Sequence, residues 1–280
     1  MKLDFKKYLI LLFIIIAIII FSISFYGQEK DVLEIDFFDI GQGDSIFIEL
    51  NKKQVLIDGG PGMKVLEKLG REMPFYDRHI DFVILTHPEY DHINGLIEVI
   101  KRYNIGAVLV SGLERETMQY KEWSRVIKEK NIPVIIVKNG DKIAIDDAVF
   151  YVIHPFHNLK GEEVKKTNNA SIVGKLVYGD FEILLTGDIE KAIERELVDS
   201  GIDLRADVLK VAHHGSSTSS CDEFLNAVGS IAAVIQAGKD NRYGHPHPIV
   251  LERLGDIFVK TTGEHGDIEL ISDGIGFLIR

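Results

Sequence analysis

The feature that most constrains this chain is a short loop, residues 86–92, that carries two histidines and two carboxylates. An apolar run at residues 81–85 precedes the loop and predicts a buried strand, and apolar residues at helical spacing predict a helix from about His92. Imidazole nitrogen and carboxylate oxygen are donors that Zn²⁺, Mn²⁺ and Fe²⁺ accept. Capping a helix needs only one such side chain, so four in one loop favour a metal site. The candidate ligands are His87, Glu89, Asp91 and His92.

Two later apolar strands end in the same kinds of side chain. Residues 184–185 lead through a Thr-Gly pair to Asp188, a carboxylate placed to bridge two metal ions, and residues 208–212 lead to His213 and His214. Successive side chains of an extended strand point to opposite faces. We therefore expect one histidine of this pair to bind metal and the other to orient substrate or donate a proton.

A fourth segment, residues 241–248, holds His245 and His247 between prolines that keep it out of regular structure. A turn ahead of a helix explains the prolines but not the two histidines. We expect either histidine to protonate a leaving group. Four isolated histidines are expected to be structural or on the surface: His79, His154, His157 and His265.

The rest of the pattern alternates hairpins with strand–helix units. Residues 46–50 and 54–57 predict a hairpin, residues 107–110 a strand, and residues 117–130 a helix. No linker rich in proline, glycine or serine divides residues 28–280. The pattern predicts one α/β (α+β) domain of mixed sheets packed together, with helices outside.

The N-terminal residues predict a membrane segment. Lysines at positions 2, 6 and 7 precede an apolar run over residues 8–25, which as a helix nearly spans a hydrocarbon layer of about 30 Å. The residues that follow are too bulky for a signal-peptide cleavage site. We expect residues 1–27 to be an uncleaved anchor with residues 28–280 outside the cell; the alternative is a cleaved signal and a secreted protein.

Composition limits the function. The formal net charge of −11 argues against a broad basic face for nucleic acid, although bound metal ions would supply local positive charge to a nuclease. The single cysteine, Cys221, excludes an intramolecular disulfide and a cysteine-rich zinc site. We predict no protein partner.

In this order the segments resemble the metallo-β-lactamase superfamily and, more narrowly, the metallohydrolase domain of ComEC-type competence DNA-uptake proteins. The likeness runs from about Val32 to the C-terminus. The matching segments are residues 38–45, 56–60, 87–92, 168–171, 186–188, 213–220 and 241–247.

This resemblance implies an αββα sandwich with a binuclear metal site on one edge. It implies two divalent ions, Zn²⁺ or Mn²⁺, and a second carboxylate, Asp58, that steadies a ligand. The implied ligands are His87, Asp91, His92, Asp188 and one of His213 and His214. Lys210 and Ser216 are expected beside the ligands or the substrate.

Two positions depart from the superfamily. Glu89 stands where the superfamily has histidine and the ComEC-type branch has aspartate. Asn168 or Asn169 stands in the region of a further superfamily histidine. Both changes replace nitrogen with oxygen, which makes Mn²⁺ a rival to Zn²⁺.

The leading hypothesis is phosphodiester hydrolysis outside the membrane, on DNA or another phosphodiester. Hydroxide formed at two metal ions would attack phosphorus, with Asp91 as ligand and proton acceptor. One alternative is a cell-surface esterase acting on wall polymers such as those bearing phosphorylcholine, which an aromatic cage would favour. Another is a binding module that has kept the fold without activity. With one apolar segment, the chain is not expected to form a DNA channel by itself.

Overall fold

The computed structural model describes residues 9, 12–17 and 31–280. Contacts divide the chain into two units, residues 1–31 and residues 32–280. Residues 12–17 are helical, and within the described ranges no helix is both long and apolar enough to span a bilayer. Most of the predicted anchor, residues 1–8, 10–11 and 18–27, lies outside the described residues, so the anchor stays a prediction.

The second unit contains two mixed sheets. The eight-stranded sheet has the order β15-β14-β1-β2-β3-β4-β5-β6, with β3 to β6 parallel. Its strands are β1 Leu33–Phe37, β2 Ile46–Leu50, β3 Lys53–Ile57, β4 His79–Leu85, β5 Asn104–Val110, β6 Val134–Ile136, β14 Ile268–Ser272 and β15 Phe277–Ile279.

The seven-stranded sheet has the order β13-β12-β11-β10-β9-β8-β7, with β10 to β13 parallel. Its strands are β7 Lys142–Ile145, β8 Ala148–His154, β9 Val173–Tyr178, β10 Phe181–Leu185, β11 Val208–Lys210, β12 Ala232–Ile235 and β13 Phe258–Thr261.

Helices cover both sheets. They are α1 Lys64–Glu72, α2 Tyr90–Arg102, α3 Met118–Glu129, α4 Lys191–Asp199, α5 Asp222–Val228, α6 Pro248–Leu254 and α7 Thr262–His265, with short 3₁₀ turns at Thr167–Ala170 and Ala212–Gly215. The predicted helix at 117–130 is confirmed as α3. Its N-cap is Thr117, whose hydroxyl accepts the Tyr120 N–H at 3.2 Å. Helix α1 was not predicted.

Three apolar layers hold these elements together. One lies between the sheets and joins, for example, Ile35 of β1 to Phe150 of β8. A second packs the outer face of the eight-stranded sheet on α1 to α3, and a third packs the other sheet on α4 to α6. Strand β1 shows why: its alternate residues are buried, and Glu34 and Asp36 point away from the central layer. The predicted αββα sandwich is confirmed.

Strand direction collects the candidate ligands at one edge. The loops that follow β4, β10 and β11 meet there, and the Ile172 N–H donates to the Thr86 carbonyl at 3.0 Å to join the two sheets. The ends of parallel strands are a common place for binding groups, because several loops converge.

Candidate metal centre

Side chains from both sheets converge at this edge. In each of three groups the donor atoms lie within 4.8 Å of one another: His87, His92 and Asp188; Asp91, His92 and His214; Asp44, Asp188 and His214. On the side of the eight-stranded sheet, the loop after β4 supplies His87 and the first turn of α2 supplies Asp91 and His92. The loops after β10 and β11 supply Asp188 and His214. The convergence of five predicted ligands, His87, Asp91, His92, Asp188 and His214, is therefore present in the structure.

Several of these atoms are buried without a hydrogen-bond partner among the described residues. They are the Nε2 atoms of His87 and His214 and the Oδ1 atoms of Asp44 and Asp188. The Nε2 atoms of His92 and His214 lie 3.3 and 3.1 Å from Asp188 Oδ2. Unpaired buried polar atoms are costly. Imidazole lone pairs around a carboxylate are the donor set that divalent metal ions accept, so these residues fit a metal site.

The carboxylate of Asp58 holds His92 from behind. Its Oδ2 accepts from His92 Nδ1 at 2.8 Å and from the Thr86 hydroxyl at 2.6 Å, and its Oδ1 accepts the Thr86 N–H at 2.9 Å. Because Nδ1 donates to Asp58, it is Nε2 that faces the cluster, and this nitrogen would bind a metal ion on releasing its own proton. This is the ligand-steadying position that the resemblance implies.

The orientation of His87 depends on Ser171, whose role the sequence did not reveal. The Ser171 hydroxyl donates to the Asn168 carbonyl at 2.7 Å, and the Thr86 hydroxyl donates to Asp58. Both hydroxyl oxygens lie within 3.2 Å of His87 Nδ1. Because each hydroxyl already donates its hydrogen to another acceptor, Nδ1 must be the donor in both contacts. The lone pair on His87 Nε2 therefore points into the cluster.

The pKa values of the buried imidazoles shift in opposite directions. Burial would lower the pKa of His92, but the carboxylates of Asp188 and Asp58 outweigh it and hold that pKa well above its usual value. Asp188 and Asp44 do the same for His214. Burial next to cationic His92 instead lowers the pKa of His87 to about 3. The imidazolium groups of His214 and His92 outweigh burial and hold the pKa of Asp188 well below its ordinary value.

The pair His213–His214 is not placed as the strand argument predicted. Strand β11 ends at Lys210, and both histidines have positive φ, 51° and 56°. His214 faces the cluster, and its Nδ1 donates to the Gln236 carbonyl at 2.8 Å. His213 contacts Thr218 and Asn168 instead and belongs to none of the donor groups. The selection of one histidine follows from this turn and not from strand alternation.

A pocket of about 150 Å³ opens over the cluster. Besides the converging donors it is lined by Gln42, Glu89, Asn168, His213, Tyr243 and His245. Glu89 forms the N-cap of α2 and is in none of the donor groups. Its predicted coordination stays a prediction.

The remaining predicted residues support the site from outside this lining. Lys210 is 1% exposed. Its ammonium group pairs with Asp44 Oδ2 at 2.5 Å and donates to two backbone carbonyls, so it is not placed to touch substrate. Asn169 accepts the Glu190 N–H at 2.9 Å, and Ser216 pairs with Thr218. His247 accepts the Ser217 N–H on Nδ1 at 2.8 Å and anchors its loop.

Asp44 is a site residue that the sequence analysis did not select. It is buried between Lys210 and His214, and its Oδ1 lies 3.2 Å from His214 Nδ1. It follows the Gly-Gln-Gly turn just before β2. In the sequence, a carboxylate directly after a tight turn was the one local sign of a role for Asp44. Its contacts with Lys210 and His214 arise only because the two sheets pack together.

The sequence resembles those of known proteins. Residues 38–239 match the metallo-beta-lactamase superfamily. The chain is 32% identical over 272 residues to ComE operon protein 3 of Bacillus subtilis, covering 90% of this chain and 34% of that protein. It is 27% identical over 244 residues to Recombination protein 2 of Haemophilus influenzae, covering 85% and 29%. The chain spans about a third of the length of these curated relatives.

Solved structures agree on the fold. The metallo-beta-lactamase fold protein YhfI from Bacillus subtilis is 11% identical with a TM-score of 0.56, and the match covers 85% of this chain and 99% of that one. CmlA, a diiron beta-hydroxylase from Streptomyces venezuelae, is 15% identical with a TM-score of 0.50, and the match covers 83% and 53%. With its sequence match, layered sheets and converging donors, this chain belongs to the metallo-beta-lactamase superfamily, and its relatives include the ComEC-type competence proteins.

Proposed function

We propose that the chain is a metal-dependent phosphodiesterase that acts on DNA. The observation that carries this proposal is the set of buried, unpaired donor atoms on His87, His214 and Asp188 beneath an open pocket. His87, Asp91, His92, Asp188 and His214 would hold two divalent ions, Mn²⁺ or Zn²⁺. Bound ions of this kind supply Lewis acidity and an activated water.

The protein's own groups divide the remaining work. The positive charges of the nearby His214 and His92 imidazoles outweigh burial and lower the pKa of Asp91, so this part-exposed carboxylate stays ionised as ligand and proton acceptor. Burial and neighbouring imidazoles lower the pKa of His245 to about 4. A neutral His245 must first take up a proton before it can protonate a leaving group. We assign that role to His245 rather than His247, because His245 lines the pocket.

The names of the relatives support DNA as the substrate class. Competence protein ComA is named for competence, and Recombination protein 2 is named for recombination. A choline ester would need an open aromatic cage. In the described lining the one ring other than histidine is Tyr243, and the Arg242 guanidinium lies 4.9 Å from its centroid. A cation already on that ring disfavours a second one.

The test uses the purified full chain loaded with Mn²⁺ or Zn²⁺. We expect hydrolysis of bis-p-nitrophenyl phosphate and single-stranded DNA to exceed that of p-nitrophenyl phosphorylcholine. Asp188→Ala should lower the rate by about a hundredfold or more, because it removes the carboxylate shared by two donor groups. Circular dichroism should show that the variant keeps its fold.

The matched control is Asp199→Ala at the exposed C-terminal end of α4, which should keep full activity. Full activity in Asp188→Ala would refute the assigned site. A chain that takes up no divalent metal after loading would refute the hydrolase proposal and favour a non-catalytic binding module.

A further inference from the structure

We propose that Arg242 and Tyr243 form a platform on which one base of a single-stranded DNA substrate stacks at the mouth of the metal pocket. The inference rests on the proposed function and narrows its substrate to strands with unpaired bases. Bases inside a duplex stack on each other and are hidden from side chains, whereas unpaired bases stack on aromatic rings and guanidinium planes.

A ladder of rings leads from the donor cluster to this platform. His214 stacks with His245 at a centroid distance of 6.2 Å and an interplanar angle of 28°. His245 stacks with Tyr243 at 5.7 Å and 20°. The Arg242 guanidinium lies 4.9 Å from the Tyr243 centroid and donates to its hydroxyl at 2.7 Å. The outer end of the ladder is therefore the Arg242 guanidinium, a planar group that carries positive charge.

The loop that carries the platform is held in place by its own hydrogen bonds. The Asn241 side chain donates to the carbonyls of Gly238 and His245 at 2.7 and 2.6 Å. Its oxygen accepts the N–H groups of Tyr243 and His245 at 3.2 and 2.9 Å. His247 fixes the far end through the Ser217 N–H. A preformed loop of this kind reduces the entropy that a substrate must remove on binding.

The exposure of the platform fits a contact with ligand. Tyr243 lines the metal pocket and is 49% exposed, and Arg242 is exposed beside it. The described lining contains no lysine or arginine, and it includes the carboxylates of Glu89, Asp91 and Asp188. Arg242 is thus a cation next to an otherwise acidic pocket. We infer that it also binds a phosphate adjoining the scissile one.

The experiment compares two substrates on the full chain loaded with Mn²⁺. One is a short oligothymidylate and the other is an abasic phosphodiester chain of the same length. We expect a KM about tenfold lower for oligothymidylate, because stacking of one base is worth about this much. Tyr243→Ala should remove this preference, and Tyr243→Phe, which keeps the ring, should retain it.

Equilibrium binding supplies a readout that does not depend on turnover. Fluorescence anisotropy of labelled oligothymidylate with the Asp188→Ala variant should show the same preference and the same dependence on Tyr243. Arg242→Gln should reduce the slope of log affinity against log salt by roughly 0.7, the value for one phosphate contact on a single strand. Tyr76→Ala, at an exposed tyrosine in the loop between α1 and β4, is the control and should change neither quantity.

Two results would overturn the inference in distinguishable ways. Equal hydrolysis and equal binding of base-bearing and abasic chains would reject the stacking platform and leave the phosphodiesterase intact. Failure to hydrolyse or bind any phosphodiester after metal loading would reject the proposed function itself.

Discussion

Asp58 does not line the pocket over the donor cluster, yet it controls the orientation of His92. It is fully buried, and both of its oxygens accept hydrogen bonds from the segment 86–92. The carboxylate fixes the proton of His92 on Nδ1 and so directs Nε2 to Asp188. The sequence offered Asp58 only through the family resemblance, because nothing in the local pattern of an Asp-Gly-Gly turn indicates which imidazole it will meet.

We predict that Asp58→Asn weakens metal binding by about 10- to 100-fold, the usual cost of losing such a partner. An asparagine amide has the size of the carboxylate but only one accepting oxygen, so either His92 or Thr86 loses its acceptor. Competition against a chelating dye would measure the affinity.

The control for that measurement is Asp199→Asn at the exposed end of α4. It removes one negative charge without touching the segment 86–92. If Asp58→Asn bound metal as tightly as the unchanged chain, Asp58 would not be orienting His92.

Ser171 shows the limit of sequence reasoning at this scale. Its hydroxyl oxygen accepts hydrogen bonds from the Asp188 N–H at 3.0 Å and from His87 Nδ1–H at 3.2 Å. Those partners lie 17 and 84 positions away in the chain. The serine lies between Ala170 and Ile172, and no feature of this local sequence indicates such distant contacts.

At the level of elements, the position of α2 depends on a close approach between backbones. A Cβ built on Gly95 would lie 1.8 Å from the Gly59 carbonyl oxygen. The Gly95 N–H donates to the Gly60 carbonyl at 2.8 Å, and the Gly59 N–H donates to the His92 carbonyl at 2.9 Å. This contact sets the first turn of α2, with Asp91 and His92, against the Asp58 loop.

We predict that Gly95→Ala destabilises the domain by about 3 kcal/mol or more, because a methyl group cannot be placed against a backbone carbonyl without moving the helix. Denaturant unfolding would measure the change. Metal affinity should fall with it, since both depend on the position of α2.

Gly70→Ala is the matched control. Gly70 lies in α1, and a Cβ there meets nothing within 4 Å. The same substitution should stabilise the domain by about 0.5–1 kcal/mol, because alanine is the better helix former. Equal effects at the two glycines would contradict the packing argument.

On the scale of the whole domain, the donor cluster joins the two sheets. His87, Asp91 and His92 follow a strand of one sheet, and Asp188 and His214 follow strands of the other. Bound metal ions would therefore link the halves of the sandwich. They would also compensate the buried charges that face one another in the metal-free cluster.

We predict that chelation lowers the thermal midpoint of the whole domain, in a single transition, by roughly 5–10 °C relative to protein with metal at a hundred times its dissociation constant. Calorimetry with and without chelator would measure it. The Asp188→Ala variant should show little of this shift. An unchanged midpoint in the unaltered chain would mean that metal ions do not link the sheets.

The sequence by itself determined the composition of the site and the class of the fold. Apolar strands ending in His87, Asp188 and His214 are local patterns, and parallel strands bring such ends to one edge for general reasons of chain geometry. The helix at 117–130 could also be predicted, because its N-cap and the spacing of its apolar residues are features of the local sequence.

Only the tertiary structure decided how those residues act. It separated His213 from His214 through two left-handed residues, made Ser171 and Asp44 partners of the cluster, and turned Lys210 inward. It also stacked Tyr243 and His245 toward the metal pocket. Each outcome depends on groups far apart in the chain, whose distances are set by sheet packing and by backbone contacts such as that of Gly59 with Gly95.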